Sequence, residues 1–326
     1  MTFGHTFLRH PDRFPEGFAG DPLGDERGRL DVVGGPYAFS GISSSHWATL
    51  AQRFGPLVGP DDGSPAAVST EVFRIDSDAF LPRQVAGWIY TFDRDPGPRE
   101  TRLAALDWVG RIDLELNRSA LWTCASDDES FACAFENFFR TLVAYRLLAL
   151  GGVLFHSACV ESSDKAHLFL GHSGAGKSTI SRLSQATERT VLSDDMNAVV
   201  PDPVGDGRRF LVEKLPFTGD LGRQPGPRQA LPLASVSRLR QGPTQLRPLT
   251  SASAVAFLLT CAPFVNGDPH RSDRLVDNLE KLIAAHPPRE LTFSLDEDPW
   301  PLIEGTAGPG DPLSAWPNDA GKSTIL

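Results

Sequence analysis

A chain of 326 residues, 40% hydrophobic and 22% charged, has the composition of a globular protein with ample core for one large domain or two ordinary ones. Its formal net charge of −10 argues against a broadly basic surface, so no nucleic-acid partner is expected. No stretch approaches the ~18 uninterrupted apolar residues of a membrane span, and Met1-Thr2-Phe3-Gly4-His5 lacks the pattern of a secretory signal. A cytoplasmic protein without a membrane partner is expected. The scattered Cys124, Cys133, Cys159 and Cys261 show neither CxxC spacing nor a disulfide framework, which fits reduced thiols.

Residues 1–67 are rich in Gly, Pro, Ser and Asp, with turn signals at Gly34-Gly35-Pro36 and Gly59-Pro60-Asp61-Asp62-Gly63. They predict loops and short elements. From 69 to 125 the pattern turns to strands: Val72–Ile75, Gly87–Phe92, Arg111–Leu116 and Ala120–Thr123. The last two read as a hairpin around Asn117-Arg118-Ser119. Phe131, Phe135, Phe138, Phe139, Leu142 and Leu147 then recur at helical spacing and predict a helix over 129–149. Ser126 or Asp127 would cap it and Gly151 would end it. Such an aromatic stripe is the signature of a core face rather than of a cofactor surface.

Gly152–Glu161 and the strand reaching Leu170 flank the turn Ser162-Ser163-Asp164-Lys165. A hairpin centred between Ser163 and Asp164 sets His156 opposite Gly171. Gly171-His172-Ser173-Gly174-Ala175-Gly176-Lys177-Ser178-Thr179 follows at once and fits G-x-x-x-x-G-K-[ST], the phosphate-binding P-loop. Its glycines let backbone N–H groups curl around nucleotide phosphates. Lys177 would reach the β- and γ-phosphates, and the Ser178 hydroxyl would hold Mg²⁺. The flanks complete the context: an apolar strand before it and a helix start at Thr179-Ile180-Ser181-Arg182-Leu183. ATP and Mg²⁺ are the expected cofactors.

Arg189–Ser193 reads as a short strand that delivers Asp194-Asp195 back to the mouth of the loop. Adjacent carboxylates there can divide two tasks, metal binding and acceptance of a hydroxyl proton. Further strands are expected at 196–200, 209–213, 231–239 and 290–295, and helices at 252–261 and 272–286. Lys214, Arg223 and Arg228 flank a Gly/Pro-rich loop at 219–227, as candidate phosphate or acceptor contacts that surface solvation explains as well. The reading divides the chain into a β-rich region 1–125, a nucleotide-binding domain 126–304 and a Pro/Gly-rich tail 305–326.

The strand ending in His156, the hairpin into the P-loop and the Asp194-Asp195 pair together resemble the HPr kinase/phosphorylase family. The resemblance implies an α/β fold of mixed sheet and helices, shared with ATP-dependent phosphoenolpyruvate carboxykinases. It also implies an ATP- and Mg²⁺-dependent serine kinase whose acceptor is a protein or peptide hydroxyl. Asp194, Asp195, His156 and Lys177 would be the catalytic residues, and Gly171 to Thr179 would hold the nucleotide. Ser178 and Asp195 would hold the metal. His172 stands where the family commonly has Asp, which marks a divergent member. A small-molecule kinase and a non-catalytic nucleotide-binding module remain alternatives, and a homo-oligomer is compatible with either.

Overall fold

The computed structural model describes residues 14–76, 93–204, 209–217, 219, 228–294 and 297–305. The N-terminal part supplies β1 (Asp21–Pro22), β2 (Glu26–Leu30), β3 (Tyr37–Ile42), α1 (Ser44–Phe54), β4 (Val58–Gly59) and β5 (Val68–Arg74). It continues with β6 (Asp93–Pro96), β7 (Glu100–Ala104), β8 (Trp108–Asp113) and β9 (Arg118–Thr123). These strands form one mixed sheet in the order β4-β2-β3-β5-β9-β8-β7-β6, with β1 beside β5. β3, β5 and β9 run parallel, and the remaining pairs are antiparallel.

Two expectations about this part change. Residues 44–54 are not a loop but an 11-residue helix. Ser43, which reads as a loop residue, caps it by accepting the His46 N–H at 3.3 Å. Gly55 ends it at φ 54°, and His46, Leu50 and Phe54 bury one face at four-residue intervals. The expected β8–β9 hairpin is present, but β8 stops at Asp113 instead of Leu116. The Asp113 carboxylate accepts the N–H groups of Glu115 and Leu116 at 3.0 and 2.9 Å, drawing the chain into a turn. The strand expected at 87–92 lies outside the described residues.

The predicted long helix is α2 (Asp128–Ala149), capped by Asp127, which accepts the Ser130 N–H at 2.9 Å. Phe131, Phe135, Phe138 and Phe139 are fully buried. They meet His46 and Phe54 of α1 and Tyr37, Phe39 and Trp108 of the first sheet, with ring centroids 4.3–6.1 Å apart. The core around α2 runs without a break into the elements that follow.

Those elements are β10 (Val153–Ser162), β11 (Lys165–Leu170), α3 (Lys177–Ala186), β12 (Thr190–Ser193), β13 (Met196–Pro201) and β14 (Phe210–Lys214). They continue as β15 (Ala230–Gln241), β16 (Gln245–Pro248), α4 (Ser251–Thr260), α5 (Ser272–Ala285), β17 (Arg289–Phe293) and α6 (Trp300–Gly305). The second sheet is ordered β11-β10-β13-β14-β15-β17-β16, with β12 on β10, and β11 also pairs with β15. Pairing therefore closes on itself through the long strands β10 and β15. The chain is of mixed α/β class. Among the described residues no helix is long and apolar enough to cross a membrane.

Candidate active site

The site begins with the β10–β11 hairpin. Ser163 and Asp164 take left-handed φ values of 53° and 59°, the twist that a two-residue hairpin turn requires. The register runs from Ser162↔Lys165 to Ser157↔Leu170, which puts His156 level with Gly171, as the spacing predicts. β11 is antiparallel to β10 and parallel to β15, unlike the strand of a simple βαβ unit.

Backbone geometry explains the loop's glycines. Gly174 and Gly176 take φ values of 78° and 109°, which a side chain resists. A Cβ at Gly176 would also meet the Phe293 ring at 2.9 Å, and one at Gly171 would come within 2.4 Å of the Ala175 Cβ. Gly176 sits at the N-cap of α3 with no side-chain cap, leaving the first-turn N–H groups directed at the loop. His172, Ser173 and Gly174 are exposed, and Ala175 to Thr179 are half-buried. Lys177 Nζ donates to the Gly171 carbonyl at 3.0 Å, folded over the cradle it would share with a phosphate. Gly171→Ala is expected to overpack the loop by about 1–3 kcal/mol. ATP affinity should fall at least about tenfold, as measured by calorimetry, and the melting temperature should drop by a few degrees, about 2–4 °C per kcal/mol of strain.

Asp194 and Asp195 form the link between β12 and β13. Ser193 Oγ accepts the Asp195 N–H at 3.3 Å and donates to the Met196 carbonyl at 3.2 Å, which shapes the turn. The turn is tied to β10 by Ser157 N–H donating to the Asp195 carbonyl at 2.9 Å. Asp195, just past the end of β12, is bonded to Ser157 of β10, which in turn pairs with Leu170 of β11, so at ~4.8 Å per step the Asp pair stands about 10 Å from the start of the P-loop. Asp194 is buried, and a Cβ on Gly219 would lie 2.1 Å from its Oδ1, so the chain after β14 passes directly over it.

His156 Nε2 is 3.8 Å from Asp195 Oδ1, with the imidazole about half exposed at 49%. Its backbone N–H donates to the Cys261 carbonyl at 2.9 Å, which fixes β10 against the end of α4. The Cys261 thiol is pushed up by burial, against the opposing pull of Thr260, Lys177 and Arg238. It therefore stays protonated and is no nucleophile.

Two polar contacts escape a sequence reading. Arg140 on α2 reaches Asp195 Oδ2 at 3.1 Å, and Gln241 at the end of β15 donates to the Gly174 carbonyl at 2.9 Å. The only sequence signal for the first is the spacing of Glu136 and Arg140, four residues apart on α2. The candidate Arg228 is engaged elsewhere, with Glu213 at 2.6 Å and Asp31 at 3.3 Å. Arg223 lies outside the described residues.

The residues present fit a magnesium nucleotide. A glycine cradle, a lysine and a helix N-terminus suit phosphates, and a hydroxyl with one or two carboxylates suits Mg²⁺ shared with phosphate oxygens. A scan of the chain against protein-family models finds no match, and a search of curated proteins finds none either.

Proposed function

We propose that the chain is an ATP- and Mg²⁺-dependent kinase that phosphorylates a serine hydroxyl on a protein or peptide, related to the HPr kinases. One observation carries this reading. The P-loop, His156 and the Asp pair, three separate signals in sequence, come together at one end of three adjacent strands. The antiparallel entry into the P-loop and the closed pairing path support the fold shared by HPr kinases and ATP-dependent phosphoenolpyruvate carboxykinases.

In this reading the loop amides and Lys177 bind the phosphates and stabilise charge on the transferring group. Ser178 with a carboxylate of the pair would hold Mg²⁺, which would supply positive charge against the phosphates. The other carboxylate accepts the proton of the acceptor hydroxyl. His156 orients Asp195.

The test is phosphate transfer from labelled ATP to a panel of serine peptides, beside the nucleotide dependence of thermal stability. Lys177→Ala is expected to abolish stabilisation by Mg-ATP while the ligand-free protein melts as before. Unchanged Mg-ATP affinity in that variant would place nucleotide binding elsewhere. ATP binding without transfer to any acceptor would favour the non-catalytic module.

A further inference from the structure

We infer that Arg140 is a positioning residue that sets the orientation of the Asp195 carboxylate, and that α1 holds Arg140 in place through Glu136 and Arg53. The inference rests on the kinase reading and adds to it a residue from outside the P-loop, hairpin and Asp-pair motifs.

The geometry is specific. Arg140 Nη2 lies 3.1 Å from Asp195 Oδ2 and 2.8 Å from Glu136 Oε1, and its Cζ stacks 5.1 Å above the Phe217 ring. The guanidinium and the Asp195 carboxylate are 18% and 15% exposed, so the pair is shielded from the screening that makes surface ion pairs weak. Glu136 is only 8% exposed and also accepts from Arg53 Nη1 at 3.3 Å, while Arg53 pairs further with Glu129. An unbroken line of alternating charge thus runs from α1, through α2, to the Asp pair. A carboxylate on a short turn rotates freely about its Cα–Cβ and Cβ–Cγ bonds. Here the Arg140 charge faces Oδ2 at 3.1 Å, and the His156 ring faces Oδ1 at 3.8 Å. Groups that support a reacting carboxylate in this way are worth roughly ten- to a hundredfold in affinity or activity.

A positioning role predicts a particular pattern. Arg140→Met should lower turnover about ten- to a hundredfold. It should copy the kcat-against-KM signature of Asp195→Asn rather than that of Asp194→Asn. In the Asp195→Asn background it should add less than about a twofold further loss, because the two groups act as one unit. Arg140→Lys should retain part of the activity, and millimolar guanidinium should restore part of it to Arg140→Ala. Arg53→Met should show the same signature more weakly. Multiplicative losses in the double variant, or no loss from Arg140→Met, would overturn the inference. Should the parent protein transfer no phosphate at all, it is the kinase reading that fails. The same four proteins (parent, two single variants and the double) then decide the Arg140–Asp195 contact by thermal denaturation: coupled losses support it, and additive ones overturn it.

Discussion

Asp194→Asn and Asp195→Asn are each expected to reduce phosphoryl transfer by at least about a hundredfold, the scale of one general base. Asparagine keeps the size of aspartate and part of its hydrogen bonding but removes its charge and basicity. In the kinase reading, two adjacent carboxylates near bound phosphates repel each other and the phosphates, and Arg140 offsets the charge of Asp195 alone. Ser193 and Ser157 already hold the turn through its backbone, so these side chains are not needed to shape it. The variant that loses a metal ligand should also bind Mg-ATP more weakly, and the variant that loses the base should bind it almost normally. Single-turnover transfer beside nucleotide affinity separates the two. Asp195→Asn should in addition lower the melting temperature, because it leaves the Arg140 guanidinium facing a neutral amide. Near-normal turnover in both variants would remove the kinase assignment.

A fragment beginning at Ser126 is expected not to fold by itself, although it contains the P-loop, the Asp pair and both long strands of the second sheet. The reason is the aromatic face of α2. Burial of a phenylalanine is worth roughly 2–3 kcal/mol, so uncovering Phe131, Phe135, Phe138 and Phe139 forfeits about 8–12 kcal/mol. That is comparable with the ~5–15 kcal/mol total stability of a domain. These rings face Tyr37, Phe39, His46, Phe54 and Trp108, all of which the truncation deletes. Circular dichroism melting and dye binding to exposed apolar surface provide the measurement. A cooperatively melting fragment that binds Mg-ATP would show that the N-terminal sheet is dispensable to the nucleotide machinery.

Local signals carried the site further than the N-terminal fold. Periodicity and turn chemistry placed α2, the β10–β11 register and the strands around Asp194 and Asp195, because each depends on residues close in sequence. The Gly-rich spacing located the loop because few other residues tolerate the φ values of Gly174 and Gly176. α1 escaped because its cap, Ser43, lies within a polar run and only three of its side chains are buried. Strands β2 and β3 escaped because β2 has almost no apolar residues and the short apolar pattern of β3 gains meaning only from pairing with β2 and β5. Arg140 carries only the hint of its spacing from Glu136, and Gln241 carries none. Their partners lie 55 and 67 residues away, and no local pattern encodes such a distance.

The borders of the two sheets bear on how copies of the chain meet in concentrated solution. Among the described residues, the strands paired with a single neighbour are two residues long in β1 and β4 and four in each of β6, β12 and β16. β6 and β16 each end in a proline, Pro96 and Pro248, which offers no N–H to an incoming strand. The long strands that would make good templates, β10 and β15, lie inside the sheet, each with three partner strands spread along its length. Strand addition from one molecule to the next, the usual route to fibres and amorphous aggregates, is therefore poorly served. A dimer formed through these described borders would rest on side-chain surfaces more than on shared backbone ladders.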